Sequence, residues 1–306
     1  MTDRLSLAVL GVGAMGAPIA RNLVTAGFEV AVWNRSPERA RAIAGARTAP
    51  TPGDACAGAD VAISMLADDT AVEGVVFGPD GVLSGLHRGG CHVGMSTISV
   101  ALARRLASAH GAAGQGYVSA PVFGRPEAAA ARQLWIVTGG PETEVTRVAP
   151  VLGALGQGTF RLGDAPQATL AKLLGNFMIA STIEMLGEAL AAAEKGGIDP
   201  TRFVELMTNT LFGAPVVKRY GQLVADTAFE PAGFSLLLGL KDVGLALDAG
   251  EELRVPLQLA GLLRERFLTA LARGRGHLDW AGIATVIREE AGLPAVRAPD
   301  REGAGG

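Results

Sequence analysis

The hexapeptide Gly-Val-Gly-Ala-Met-Gly at residues 11–16 constrains this chain more than any other stretch. It follows the apolar, β-branched run Leu5–Gly11 and opens an amphipathic pattern that ends at Gly27. A second apolar run, Phe28–Asn34, comes next. With 42 glycines in the chain, a bare G-x-G-x-x-G array says little; its setting between strand, helix and strand makes it a dinucleotide-binding turn. Each glycine has its own task. Gly11 permits the tight turn, Gly13 lets the backbone approach a pyrophosphate, and Gly16 lets the helix pack closely on the strand. Val12, Ala14 and Met15 complete the turn, and the helix start offers N–H groups and partial positive charge to the phosphates.

The pattern continues with strand-like runs at Asp60–Leu66, Cys91–Thr97, Gly116–Val122 and Leu134–Gly140, separated by helices or loops. Ser36 is placed to cap a helix, with Pro37 in its first turn. Alternation of this kind predicts an α/β fold, a Rossmann-type doubly wound parallel sheet. Beyond Asp164 the pattern changes. A long apolar helix is expected over 166–195, a break at "GGIDP", and helices over 200–210, 214–224, 236–252, 256–272 and 280–291. The expectation is therefore a dinucleotide-binding domain at 1–164 and an all-helical C-terminal domain for substrate and oligomerisation at 165–296, joined by a long interdomain helix. The polar, Gly-rich tail 297–306 is expected to be disordered.

Composition excludes several classes. Of the 306 residues, 19% are charged and 49% hydrophobic, which suits a packed globular protein. A net charge of −3 gives no electrostatic case for nucleic acid. Cys56 and Cys91 stand apart, as buried thiols in a reducing compartment would, and no metal-ligand spacing is present. His87, His92, His110 and His277 read as scattered. The N-terminus lacks a basic cluster and no run approaches about 18 apolar residues, so a cytoplasmic protein without a membrane partner is expected.

The end of the second strand bears on which dinucleotide binds. A carboxylate there would bond the ribose 2′-hydroxyl of NAD. This chain has Asn34, Arg35 and Ser36 instead. Nothing in that trio repels a 2′-phosphate and Arg35 can pair with one, so NADP (NADPH) is the expected cofactor. A solvated Arg35 is the competing reading.

Several motifs then converge in order: "LGVGAMGAPIARNLVTAGFEVAVWNRS", "ISMLADDTAVEGVVFGPDGVL", "MSTIS", "KLLGNFMIASTIEMLGEALAAAEKGGID" and "FSLLLGLKDVGLALDAG". Together, from about Leu5 to Ala291, the chain resembles the β-hydroxyacid dehydrogenase family, which includes 3-hydroxyisobutyrate dehydrogenase. The resemblance implies an active site in an interdomain cleft, a catalytic lysine at Lys172 and its partner at Asn176. The residues agree: the two lie four apart, hence on one helical face, and both interrupt an apolar helix. Burial would favour the neutral amine and suit Lys172 to proton transfer, whereas a snorkelling lysine would do neither. The resemblance also places Ser96 beside the substrate and Thr97 beside the nicotinamide. It makes Met65 and Leu66 an apolar cofactor contact, brings Lys241 to the cofactor and lines the substrate pocket with Phe234. Core packing explains Met65, Leu66 and Phe234 nearly as well, and Asp242 could be a salt-bridge or surface partner of Lys241. Family members are commonly dimers or tetramers, and a homodimer or homotetramer is expected.

The run "SAPVFGRPEAAAARQL" departs from the family. There the segment reads close to Ala-Pro-Val-Ser-Gly-Gly and holds the substrate carboxylate. Ala120, Pro121, Val122 and Gly124 match, but Phe123 replaces the serine and Arg125 the second glycine. Either Arg125 takes the carboxylate, or it faces solvent while Phe123 makes the pocket more apolar. The expected function is hydride transfer between NADP(H) and a small β-hydroxy acid, semialdehyde or keto acid, with Lys172 as general acid or base. The alternatives are an imine or ketone reductase acting on an uncharged substrate, and a dinucleotide-binding interaction module without catalysis.

Overall fold

Ser6–Leu10 (β1) is almost wholly buried, as a strand covered on both faces must be. In a computed structural model describing residues 5–297, β1 pairs in parallel with Glu29–Trp33 (β2) on one side and Val61–Ser64 (β4) on the other. Gly16–Thr25 (α1) crosses from β1 to β2. Pro37–Arg41 (α2) leads to the two-residue strand Arg47–Thr48 (β3), and Pro52–Cys56 (α3) returns to β4. Asp69–Phe77 (α4) and Val82–Gly85 (α5) precede Cys91–Gly94 (β5); Val100–Ala112 (α6) precedes Gly116–Ser119 (β6). All neighbours in this six-stranded sheet run parallel, in the order β3-β2-β1-β4-β5-β6. The order reverses between β1 and β4, so a crevice for a ligand opens at the carboxyl ends of these two strands.

The predicted strand over 116–122 divides in two. It leaves the sheet after Ser119 at Ala120-Pro121, where proline has no N–H to give a ladder. Val122–Phe123 (β7) then starts a separate three-stranded sheet, antiparallel to Leu134–Thr138 (β8). Pro126–Ala130 (α7) lies between them. After Glu142–Gly153 (α8), Gly156–Arg161 (β9) joins β8 in parallel. Strand β8 therefore belongs to this second sheet, not to the six-stranded one.

Ala165–Lys195 (α9) follows as one helix of 31 residues. By length and composition alone it could cross a membrane. Part of its apolar surface is buried within the protein: Ala165, Ala168 and Leu173 in its first part, and Ala180, Ile183 and Leu190 in its second. The chain divides into two compact units after Leu174, within this helix. The second unit is helical throughout its described residues: Pro200–Asn209 (α10), Pro215–Ala225 (α11), Leu236–Glu252 (α12), Gln258–Ala272 (α13), a 3₁₀ turn at Trp280–Ile283 and Ala284–Glu290 (α14). Phe267, Leu236, Leu263 and Ile283 are fully buried in its core. Of the tail expected to be disordered, all but Arg297 lies outside the described residues.

Two histidines that read as scattered meet in the core of the first unit. Ser64 Oγ lies 2.8 Å from His92 Nε2, His92 Nδ1 lies 2.9 Å from His110 Nε2, and His110 Nδ1 lies 2.7 Å from Gln115 Oε1. Gln115 donates through Nε2 to the carbonyls of Leu86 and Leu83, so its Oε1 must accept. That fixes the direction of the whole chain. Each histidine carries its proton on Nδ1, and the Ser64 hydroxyl donates to His92 Nε2. Burial holds both imidazoles below the ordinary histidine range, His92 far below it. Cys56 and Cys91 are free and buried, and burial pushes the Cys56 thiol up to about 12.

Candidate functional site

The glycine turn is built as its sequence requires. Gly11 has φ +93°, and a Cβ there would meet the Met65 carbonyl oxygen at 2.4 Å and Leu66 Cδ2 at 2.7 Å. A Cβ on Gly16 would fall 1.8 Å from the Gly11 carbonyl oxygen. Nothing lies within 4 Å of the position a Cβ would take on Gly13. The first and third glycines are thus filled in by protein, while the second faces open space. Among the described residues, no side chain caps the start of α1; the Ala17 N–H turns back to the Gly13 carbonyl at 3.0 Å, and the positive end of the helix faces the turn. These features fit a dinucleotide pyrophosphate.

Asn34 makes two hydrogen bonds to its own surroundings. Its Oδ1 accepts from the Val12 N–H at 3.0 Å and its Nδ2 donates to the Ser36 carbonyl at 3.1 Å. It braces the glycine turn against the end of β2. Ser36 stands at the N-cap of α2, as predicted, but its side chain makes no capping hydrogen bond. Arg35 between them is exposed.

At the end of β4, Met65 and Leu66 are partly buried and pack on the cores that flank the sheet. Ser96, after β5, is buried and accepts from the Leu66 N–H through Oγ at 2.7 Å. Its hydroxyl ties two adjacent strand ends together, a role the sequence did not disclose. Thr97 beside it is partly exposed.

The run from Ser119 to Arg125 is joined to the first part of α9. Ser119 Oγ lies 2.8 Å from Thr169 Oγ1, both buried. Three residues along the same helix, Lys172 is 8% exposed, and its Nζ sits 4.1 Å from the centre of the Phe123 ring. Gly124 has φ +143°, and a Cβ there would meet Leu134 Cδ2 at 2.7 Å, so glycine is required. Arg125 follows at the N-cap of α7; its Nε and Nη1 are buried although the residue as a whole is partly exposed.

In the second unit, Asn176 is 4% exposed and donates through Nδ2 to Asp242 Oδ2. Asp242 is itself 1% exposed and pairs through Oδ1 with Lys241 Nζ at 2.9 Å. Asp242 is thus the salt-bridge partner of Lys241, and a buried one. Phe234 packs edge-on against Trp280, with ring centres 4.8 Å apart, on the helical core.

A parallel sheet with this turn at its switch point defines a dinucleotide-binding fold. Residues 6–163 match the NAD-binding domain of 6-phosphogluconate dehydrogenase. Residues 167–287 match the C-terminal model described as NAD-binding of NADP-dependent 3-hydroxyisobutyrate dehydrogenase. An uncharacterized oxidoreductase of Bacillus subtilis, YfjR, is 43% identical over 93% of this chain and 100% of its own. The 3-hydroxyisobutyrate dehydrogenase of Pseudomonas aeruginosa is 33% identical over 94% of this chain and 99% of its own. Among solved structures, the Mycobacterium tuberculosis 3-hydroxyisobutyrate dehydrogenase with L-serine superposes with a TM-score of 0.85 at 29% identity, covering 93% of this chain and 99% of that one. The chain belongs to the β-hydroxyacid dehydrogenase family. It is an NAD(P)-dependent oxidoreductase of the kind that acts on hydroxy acids.

Proposed function

We propose that this protein uses NADP(H) to interconvert a small β-hydroxy acid and its semialdehyde or keto acid, with Lys172 moving the proton. The observation that carries the reading is the burial of a lysine, at 8% exposure, at the family's catalytic position. A buried amine poised against a ring is suited to exchange a proton with a substrate oxygen. When bound, the nicotinamide supplies or accepts the hydride at the carbon bearing that oxygen. In reduction, Lys172 Nζ gives its proton to the developing alkoxide; in oxidation, the neutral amine takes it from the hydroxyl. Asn176 Oδ1, fixed by Asp242, accepts from the hydroxyl or the ammonium and holds the geometry. Ser96, Gly124 and Phe234 are assigned to the substrate, whereas the Phe123 ring lies against Lys172. Met65, Leu66 and Thr97 are assigned to the cofactor with the turn Gly11–Gly16, and Lys241 by the family resemblance.

We assign residues 1–164 to cofactor binding and 165–296 to substrate binding and self-association. Leu174, Met178 and Met185 form an exposed apolar stripe on α9, which supports a homodimer or homotetramer; a one-chain mass in solution scattering would rule this out. Two buried, unpaired thiols suit a cytoplasmic protein, and cell fractionation is the check.

Two arginines set the specificities. Arg35 is exposed at the end of β2, free of any neighbouring carboxylate at positions 34 and 36. Arg35→Ala should weaken NADPH about tenfold or more and leave NADH within about twofold, as read by fluorescence titration. Equal losses for both dinucleotides would remove the preference for the 2′-phosphate.

Arg125 is assigned to the substrate carboxylate. The burial of Nε and Nη1 supports a guanidinium drawn in beside the loop rather than one held wholly in solvent. A bidentate pair would restore what the loss of a serine hydroxyl at 123 removes. Arg125→Ala should raise KM for an acid substrate roughly tenfold or more and spare its methyl ester. An acid preference that survives the substitution would favour the uncharged-substrate reductase instead.

A further inference from the structure

Phe123 stands in the loop beside Lys172, and its ring does something a small polar side chain cannot. Lys172 Nζ lies 4.1 Å from the ring centre, over its face. The face of an aromatic ring carries negative quadrupole charge and attracts an ammonium, more strongly where water is excluded. Lys172 is buried and Phe123 partly buried, so the contact is largely out of water.

The backbones that bring the two together are fixed independently. Ser119 and Thr169 join their hydroxyls at 2.8 Å, four residues before Phe123 and three before Lys172. Gly139 provides a seat for the start of α9, because a Cβ there would fall 2.2 Å from the Asp164 carbonyl oxygen and 2.8 Å from Ala168 Cβ. Phe123 is held in turn by its pairing with Trp135 across β7 and β8. The main chain therefore sets where the lysine begins but not where its four-carbon stem ends. A lysine side chain has much rotamer freedom to lose, and a ring partner selects one arrangement of it.

We propose that Phe123 is the positioning residue for Lys172, its ring holding the ammonium where the proton must be delivered. The ring attracts the charged lysine and not the neutral amine, so it acts on the form that donates in reduction. The slot that would otherwise touch substrate has become a support for the acid, and carboxylate recognition is left to Arg125. This inference rests on the reading of Lys172 as the proton donor.

The test compares Phe123→Leu, Phe123→Tyr, Phe123→Trp and Lys172→Ala in the full-length protein. NADPH oxidation is followed with the best acceptor from a set of short semialdehydes and keto acids, and NADPH affinity is measured separately. Leucine keeps most of the volume without the ring face. Its kcat should fall on the order of tenfold, with KM and NADPH affinity within about twofold. The tyrosine and tryptophan variants should stay within about threefold of the parent. A leucine variant with parental kcat, a loss confined to KM, or an aromatic variant slowed tenfold would each overturn the role of the ring. If the leucine variant does not fold, the aromatic pair still decides. Full turnover by Lys172→Ala, or no oxidation with any acceptor, would overturn the reading of Lys172 and this inference with it. An inactive Lys172→Ala beside a fully active Phe123→Leu would sink this inference alone.

Discussion

Lys172→Ala is expected to lower turnover by about 10²–10⁴ while NADPH binding stays within about twofold. The size follows from the step that is lost: hydride delivery to a carbonyl builds charge on oxygen, and the substitution removes the group placed to neutralise it. The selectivity follows from position. Lys172 lies in α9, whereas the glycine turn that receives the dinucleotide lies between β1 and α1, and its close contacts come from Met65 and Leu66. Removing a buried ammonium also removes a desolvation cost, so the fold should not suffer from the loss of charge. Single-turnover oxidation of bound NADPH, with affinity from fluorescence titration, separates the two quantities. A variant that binds NADPH normally and turns over at the parental rate would refute the proton-transfer role. Loss of NADPH binding in parallel would instead make Lys172 a binding residue.

Stability should fall steeply in mild acid because of the His92–His110 pair. Burial holds both folded-state imidazoles below the ordinary range, so the unfolded chain takes up protons that the folded chain refuses. The sign is therefore fixed. The stabilisation is fully present above the unfolded pKa of about 6.5 and declines as pH falls below it. Each histidine contributes a slope of about 1.4 kcal/mol per pH unit while its folded form stays neutral. Two such sites would make denaturant midpoints fall markedly between about pH 6.5 and 5. The fixed direction of the chain adds to the resistance, since a second proton on His110 would set Nε2–H against His92 Nδ1–H. His92→Gln with His110→Gln should flatten this dependence. A parent protein whose midpoint is level from pH 7 to 5 would show that the pair is not held neutral.

The glycine turn was legible because each glycine answers a local steric demand, and a local demand is written in adjacent residues. The first strands were legible because burial on both faces leaves near-continuous apolar runs. Strand β9 left no such mark: "GQGTFR" is polar and its residues are mostly exposed. Strand β3 has two residues, too few for any period. His92 and His110 lie 18 positions apart, on a strand and a helix, and only the pairing of β5 with β6 around α6 brings them together. The burial of Asp242 left no mark, since an adjacent Lys-Asp pair can be a surface pair or a buried salt bridge until the fold is known. The bond from the Val12 N–H to Asn34 left none either, because it joins two turns 22 positions apart.

The hydroxyl pair Ser119–Thr169 separates two kinds of change in the loop that follows it. Anchorage sits at the start of the segment, whereas Phe123 and Arg125 come after it. Substitutions at those two positions can therefore alter what is recognised without loosening the helix that carries the lysine. A loop tethered upstream of these side chains is a practical place in which to select for new substrate preferences.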